Sequence, residues 1–136
     1  MAGFKAIAKL APVYVTAKIF AAEDTDQIVF IADRDYEVRE VAVSLSAGDA
    51  AGTLMLDKCP SGTAIGSGTD LLVSAFDLNA TADTPVFKSV ANGGVVSSVS
   101  SRTLVRGDAL GLDFGGTLND TFQGVVQILL QPVSGS

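Results

Sequence analysis

Histidine and tryptophan are absent from this sequence, and cysteine occurs once. Without histidine, neither a Ser-His-Asp nor a Cys-His nucleophile arrangement can be built. A lone Cys59 leaves no intramolecular disulfide, and with no histidine it leaves no cysteine-based zinc site either. Nothing in the cysteine usage therefore points to a secretory, oxidising life. Charge is also scarce: 9 Lys+Arg against 15 Asp+Glu, a net charge of −6. That acidic balance runs against counterion release from a phosphate backbone, so direct nucleic-acid binding is not expected. Long apolar runs are missing as well. The stretch from Met1 to Phe20 is broken by Lys9, Pro12 and Lys18, so neither a signal h-region nor a membrane span is expected.

What is plentiful is small and apolar: Ala, Gly, Ser, Val and Thr in a chain that is 48% hydrophobic. At 136 residues it fits one domain, large enough for a core without disulfide staples. Such a composition often hides part of its surface against a partner. The reading places an N-terminal arm at 1–12 and a β domain at 13–136. Ala2 to Ala11 can be written as a short amphipathic helix, with Phe4, Ile7 and Ala11 near one face and Lys5 and Lys9 on another. Alone it is marginal in water, so it is either a frayed tail or an arm that orders on a partner. Pro12 ends it.

Strands are expected at Val13–Phe20, Gln27–Ala32, Tyr36–Ser46 and Thr53–Lys58, from β-branched content and alternation. In the third, Val41, Val43 and Leu45 share one face and Glu40, Ala42 and Ser44 the other. Cys59 to Thr69 is a small-residue loop carrying Pro60 and three glycines. Asp70 to Leu78 reads equally as a short capped helix or as a strand at Leu72–Phe76. Short strands are expected at Val86–Val90, Val95–Val99 and Arg102–Val105. Arg106-Gly107-Asp108 is a turn, because glycine tolerates positive φ and aspartate bonds its own backbone. Leu110, Leu112 and Phe114 then alternate with Gly111 and Asp113. Phe122 to Gln131, apolar almost throughout, reads as a central strand covered on both faces. Many short strands with regular turn signals predict an all-β antiparallel sandwich or barrel.

Chemistry is thinly represented. Cys59 has only Lys58 near it in sequence and reads as an ordinary thiol. The carboxylates Glu23, Asp24 and Asp26 and the pair Asp33 and Asp35 could offer oxygens to calcium, yet they lack the spaced Asp-Gly-Glu pattern and read as solvated turns. Nothing singles out a glycosidase pair. The glycines from Gly62 to Gly68 lack the Gly-Lys-Ser/Thr ending of a phosphate loop. No catalytic, metal or cofactor site is expected.

One pattern spans most of the chain. Val38-Arg39-Glu40-Val41-Ala42-Val43 leads to Thr53-Leu54-Met55-Leu56-Asp57-Lys58, then to Gly68-Thr69-Asp70-Leu71-Leu72 and Phe76-Asp77-Leu78-Asn79-Ala80-Thr81-Ala82-Asp83-Thr84. It closes on Leu104-Val105-Arg106-Gly107-Asp108-Ala109-Leu110-Gly111-Leu112. This order resembles head decoration or cement proteins of tailed bacteriophages, over about Ile28 to Pro132, and also other phage particle proteins such as neck or fibre modules. The resemblance implies a jelly-roll sandwich and a non-enzymatic virion protein on the outer capsid surface. It implies the major capsid protein as partner and a homodimer or homotrimer as the state. Position and composition nominate the arm (Phe4, Lys5, Ile7, Lys9) and the Cys59–Thr69 loop as contacts. A carbohydrate- or ligand-binding sandwich is the other reading, weakened by the missing tryptophan.

Overall fold

The computed structural model describes residues 11–20, 26–48, 52–79, 82–116 and 122–133. Among the described residues ten strands run β1 (Val13–Phe20), β2 (Gln27–Ile31), β3 (Tyr36–Ala47), β4 (Thr53–Cys59), β5 (Thr69–Asp70), β6 (Phe76–Asp77), β7 (Val86–Ser89), β8 (Thr103–Leu104), β9 (Ala109–Gly115) and β10 (Gln123–Pro132). A single helical turn, α1 (Val99–Arg102), precedes β8. One sheet has the order β1-β10-β3-β7 with β8 also on β3; the other has β2-β9-β4-β5 with β6 also on β4. All named pairings are antiparallel. The first strand pairs with the last, the second with the second-last, and the middle of the chain returns onto β3 and β4. This is a chain doubled on itself and rolled into two sheets, a jelly-roll sandwich.

Alternation explains the core. Val41, Val43 and Leu45 of β3 and Val126, Ile128 and Leu130 of β10 face inward from the first sheet. Leu54 and Leu56 of β4 with Leu110 and Leu112 of β9 meet them from the second. Leu71, Leu72, Phe76, Leu78, Leu104 and Phe122 close the ends. Each fully buried side chain of this size contributes about 1.5–3 kcal/mol of transfer free energy. In β3 the phase slips: Val38 opposes Leu130 while Glu40 opposes Leu129, so Arg39 is an extra, bulged residue.

Three expectations are corrected. β10 is central but covered on one face only, since Gln123, Val125 and Gln127 are exposed between buried Val126, Ile128 and Leu130. Residues 70–78 form neither a helix nor one strand. Their backbone donors find partners across the fold instead: Leu71 N–H donates to Leu56 O at 2.9 Å, Val73 N–H to Gly94 O at 2.9 Å, and Leu72 bridges Val95. Val95 to Val105 holds only that bridge, α1 and the two residues of β8. There the Ser98 hydroxyl accepts from Ser101 N–H, a local cap that overrides the β propensity of Val96 and Val99.

Candidate interaction surface

The outward face of the β1-β10-β3-β7 sheet can be read row by row from its register. Tyr14, Leu129, Glu40 and Ser89 form one row; Thr16, Gln127, Ala42 and Phe87 the next; Lys18, Val125 and Ser44 the third. These positions alternate with the core-facing set, and several of them stand exposed. Tyr14 is 58% exposed, Phe87 54% and Val125 38%. A groove of about 580 Å³ lies at the Lys18 end, floored by Val125 and flanked by Ser44, Ser46, Gln123 and Asp83. The surface is thus a mostly uncharged sheet face with aromatic side chains at both margins, the composition that packs closely against another protein.

Its two margins are edge strands: β1 pairs only with β10 and β7 only with β3 among the described residues. The β7 edge is held firmly. Lys88 points inward, where its Nζ donates to Ser74 O at 2.8 Å and Ser74 Oγ at 3.0 Å and lies 5.1 Å from the centre of the Phe76 ring. Burial pulls the Lys88 ammonium below its ordinary pKa. The Asn92 Oδ1 accepts from Ser89 N–H and Gly94 N–H, both at 2.9 Å, fixing the turn after β7. Phe87 is therefore presented on a rigid edge.

A second feature lies on the opposite sheet. The Pro60–Gly68 loop folds back over the outward face of β4 and β9. Ile65 packs where Gly111 has no side chain: a Cβ there would meet Ile65 Cγ1 at 2.6 Å. Gly66, at φ +89°, donates its N–H to Asp57 Oδ2 at 2.7 Å. Asp57 is fully buried, opposes Asp70 directly across β5, and has Asp113 diagonal to it on β9. Burial first, then the neighbouring Asp70 and Asp113 carboxylates, push the Asp57 carboxyl up to about 6, against the lowering bond from Gly66. Burial and the charges of Asp26 and Asp70 raise Asp113 as well.

The residues nominated by sequence scatter. Phe4, Lys5, Ile7 and Lys9 lie outside the described residues, as do Glu23 and Asp24. Asp26 Oδ1 accepts from Phe114 N–H at 2.9 Å, and Asp35 Oδ1 from Arg106 N–H at 3.3 Å. Asp33 accepts the Tyr36 hydroxyl, and that bond holds its carboxyl below the usual range. These carboxylates cap turns and do not converge. Cys59 ends β4, buried, with its thiol pushed up by burial and by the Asp57 and Asp113 charges, the opposite of an activated nucleophile. Lys58 points away from it, donating to Ser100 O at 3.0 Å and Thr103 O at 3.1 Å. In the Arg106-Gly107-Asp108 turn, Asp108 is 7% exposed and accepts from Val105 N–H, so the tripeptide is a structural turn. The sequence reading missed Phe87, Tyr14 and Val125 as a shared face. The alternation of each strand was visible, but the register that aligns them was not.

No family model matches the chain, and no characterised protein matches it in sequence. Among solved structures, a chain of the cyanophage Pam1 capsid asymmetric unit is similar at TM-score 0.46 and 12% identity, covering 91% of this chain and 85% of that one. A chain of infectious bursal disease virus, Gx strain, is similar at TM-score 0.42 and 12% identity, covering 94% of this chain and 31% of that one. This chain thus spans about a third of the length of that viral protein. A Bacillus endospore appendage subunit, from a family of disulfide-linked pili, is similar at TM-score 0.33 and 14% identity, covering 91% of this chain and 87% of that one.

Proposed function

We propose that this chain is a non-enzymatic structural protein of a virus particle, a decoration or cement protein that seats on the outer capsid surface and bridges neighbouring major capsid subunits. The observation that carries it is the weakly charged outward face of β1-β10-β3-β7, with Tyr14 and Phe87 exposed beside two one-sided edge strands. An edge strand accepts a partner's strand by main-chain hydrogen bonds, and an apolar face beside it adds side-chain specificity. Modest contacts repeated over a closed shell sum to large stabilisation. The arm at 1–12 supplies lysines and no acid, suited to an acidic capsid patch. A homodimer or homotrimer at a local symmetry axis fits the same surface.

The test is co-sedimentation with purified shells of the source virus. Phe87→Asp places a charge on the proposed contact while leaving the core untouched, and it should weaken shell binding at least about tenfold. Removal of Met1 to Ala11 should weaken it as well. Unchanged binding by Phe87→Asp removes the sheet face from the interface; unchanged binding by the truncation removes the arm.

A further inference from the structure

Asp57 sits in an arrangement that a folded protein ordinarily avoids. Its side chain is fully buried and its Oδ1 has no hydrogen-bond donor. Antiparallel register sets Asp70 directly opposite, on β5, at the separation where like charges destabilise a sheet. On the other flank β9 brings Gly111 opposite and Asp113 diagonal, with Asp113 Oδ2 3.8 Å from where a Gly66 side chain would begin. Asp26 adds its charge beyond Asp113. Within β4 the other ionisable side chains are the Cys59 thiol and Lys58, whose ammonium is turned away to Ser100 O and Thr103 O. The covering loop, Pro60 to Gly68, holds no ionisable side chain. No cation therefore faces Asp57 from β4, β5, β9 or the loop. Among the described residues no three acidic, thiol or imidazole groups are set to hold a metal ion.

We propose that the Pro60–Gly68 loop is a proton-locked flap, closed over the second sheet when Asp57 carries a proton and loosened when it does not. A proton on Asp57 Oδ1 turns an acceptor facing an acceptor into a donor to the Asp70 carboxylate, while Oδ2 keeps the Gly66 N–H. Loss of the proton leaves a charge that the closed loop shields from water. The ionised carboxylate does hold Gly66 more strongly, but burial and the two neighbouring carboxylates outweigh that bond, which is why the closed site favours the proton. Opening hydrates Asp57 and restores an ordinary aspartate. By linkage, each unit by which closure raises the pKa costs a factor of ten in the closed-to-open ratio on ionisation, so the ratio falls about 10- to 100-fold across the transition. Opening lifts Ile65 from Gly111 and bares the apolar ground beside Ile28, itself 48% exposed. The flap does not depend on the virion role proposed above.

The direct readout is the protection of the Gly66 amide by NMR hydrogen exchange, corrected for intrinsic rates, with the Asp57 carboxyl followed by its carbon shift from pH 4.5 to 8. The expected result is a 10- to 100-fold fall in Gly66 protection with the midpoint of the Asp57 titration. The Ile65–Gly111 proton contact should weaken alongside, and Gly66 should be less protected than Ile128 of β10 throughout. Asp57→Asn should keep Gly66 protection constant over that range. Asp70→Asn, which removes only the opposing charge, should move the midpoint to lower pH. Constant protection in the native chain overturns the proposal, as does a transition that survives in Asp57→Asn. Restoration of protection by 1 mM calcium at pH 8 overturns it too, since a metal ion would then be the natural occupant.

Discussion

At the scale of single residues, two carboxylates titrate in opposite senses because their surroundings differ. Burial by itself would raise the Glu37 carboxyl, but hydrogen bonds from Arg102 and Arg39 outweigh it and hold the group below its ordinary value. Its contribution to stability is therefore present above the unfolded glutamate pKa and is lost as the pH falls. Asp57 has the reverse sign. Its pKa rises from 3.8 to about 6, so the stability it contributes is complete below about pH 4 and is lost as the pH rises through 6. Asp57→Asn should thus raise the melting temperature at pH 8, by an amount equivalent to about 1–2 kcal/mol, and leave it unchanged at pH 4. Thermal unfolding at the two pH values checks this; an equal shift at both would mean that packing, not charge, is responsible. Nothing in the sequence marked Asp57. It sits in Thr53-Leu54-Met55-Leu56-Asp57-Lys58 as any outward residue of an alternating strand would, and only the fold-back of a loop nine residues ahead buries it.

At the scale of elements, the longer strands, β2 and β7 were legible, and the two-residue β5 and β6 were not. Val13–Phe20, Tyr36–Ala47 and Gln123–Pro132 carry enough alternating or β-branched residues to declare themselves. The stretches 70–78 and 95–99 are read wrongly, because the two-residue β5 and β6 owe their existence to distant partners such as Lys58 and Leu54, whereas β8 falls inside the strand expected at Arg102–Val105. The turn α1 is held the same way. Arg102 donates from Nε at 3.2 Å and Nη2 at 3.0 Å to Glu37 Oε1 on β3, and from Nη1 to Ser97 O at 2.6 Å. The arginine is buried, so removing it strands a carboxylate that, among the described residues, only Arg39 then meets. Arg102→Met should cost about 2–4 kcal/mol in urea unfolding at pH 7, with the loss shrinking as Glu37 is protonated. A cost that stays the same at pH 3 would assign the effect to lost packing of the arginine stem.

At the scale of the whole molecule, the all-β sandwich follows from strand count and turn spacing, whereas the jelly-roll order of strands follows from pairings between residues as far apart as Val13 and Leu130. Sequence periodicity shows which side of each strand is apolar; it does not show which strands lie side by side. That is why the inward face was readable and the outward row of Thr16, Gln127, Ala42 and Phe87 was not. The same outward face makes the proposed role a quantitative claim about assembly, because a protein that cements a shell must be present in proportion to it. The deciding measurement is therefore copy number: particles purified from the source, with this chain quantified against the most abundant shell protein by peptide mass spectrometry. A ratio within a small factor of the shell protein is the predicted result. A ratio of a few per cent would contradict the cement role and move the chain to a neck, tail or fibre, and absence from the particle would remove it from the virion altogether.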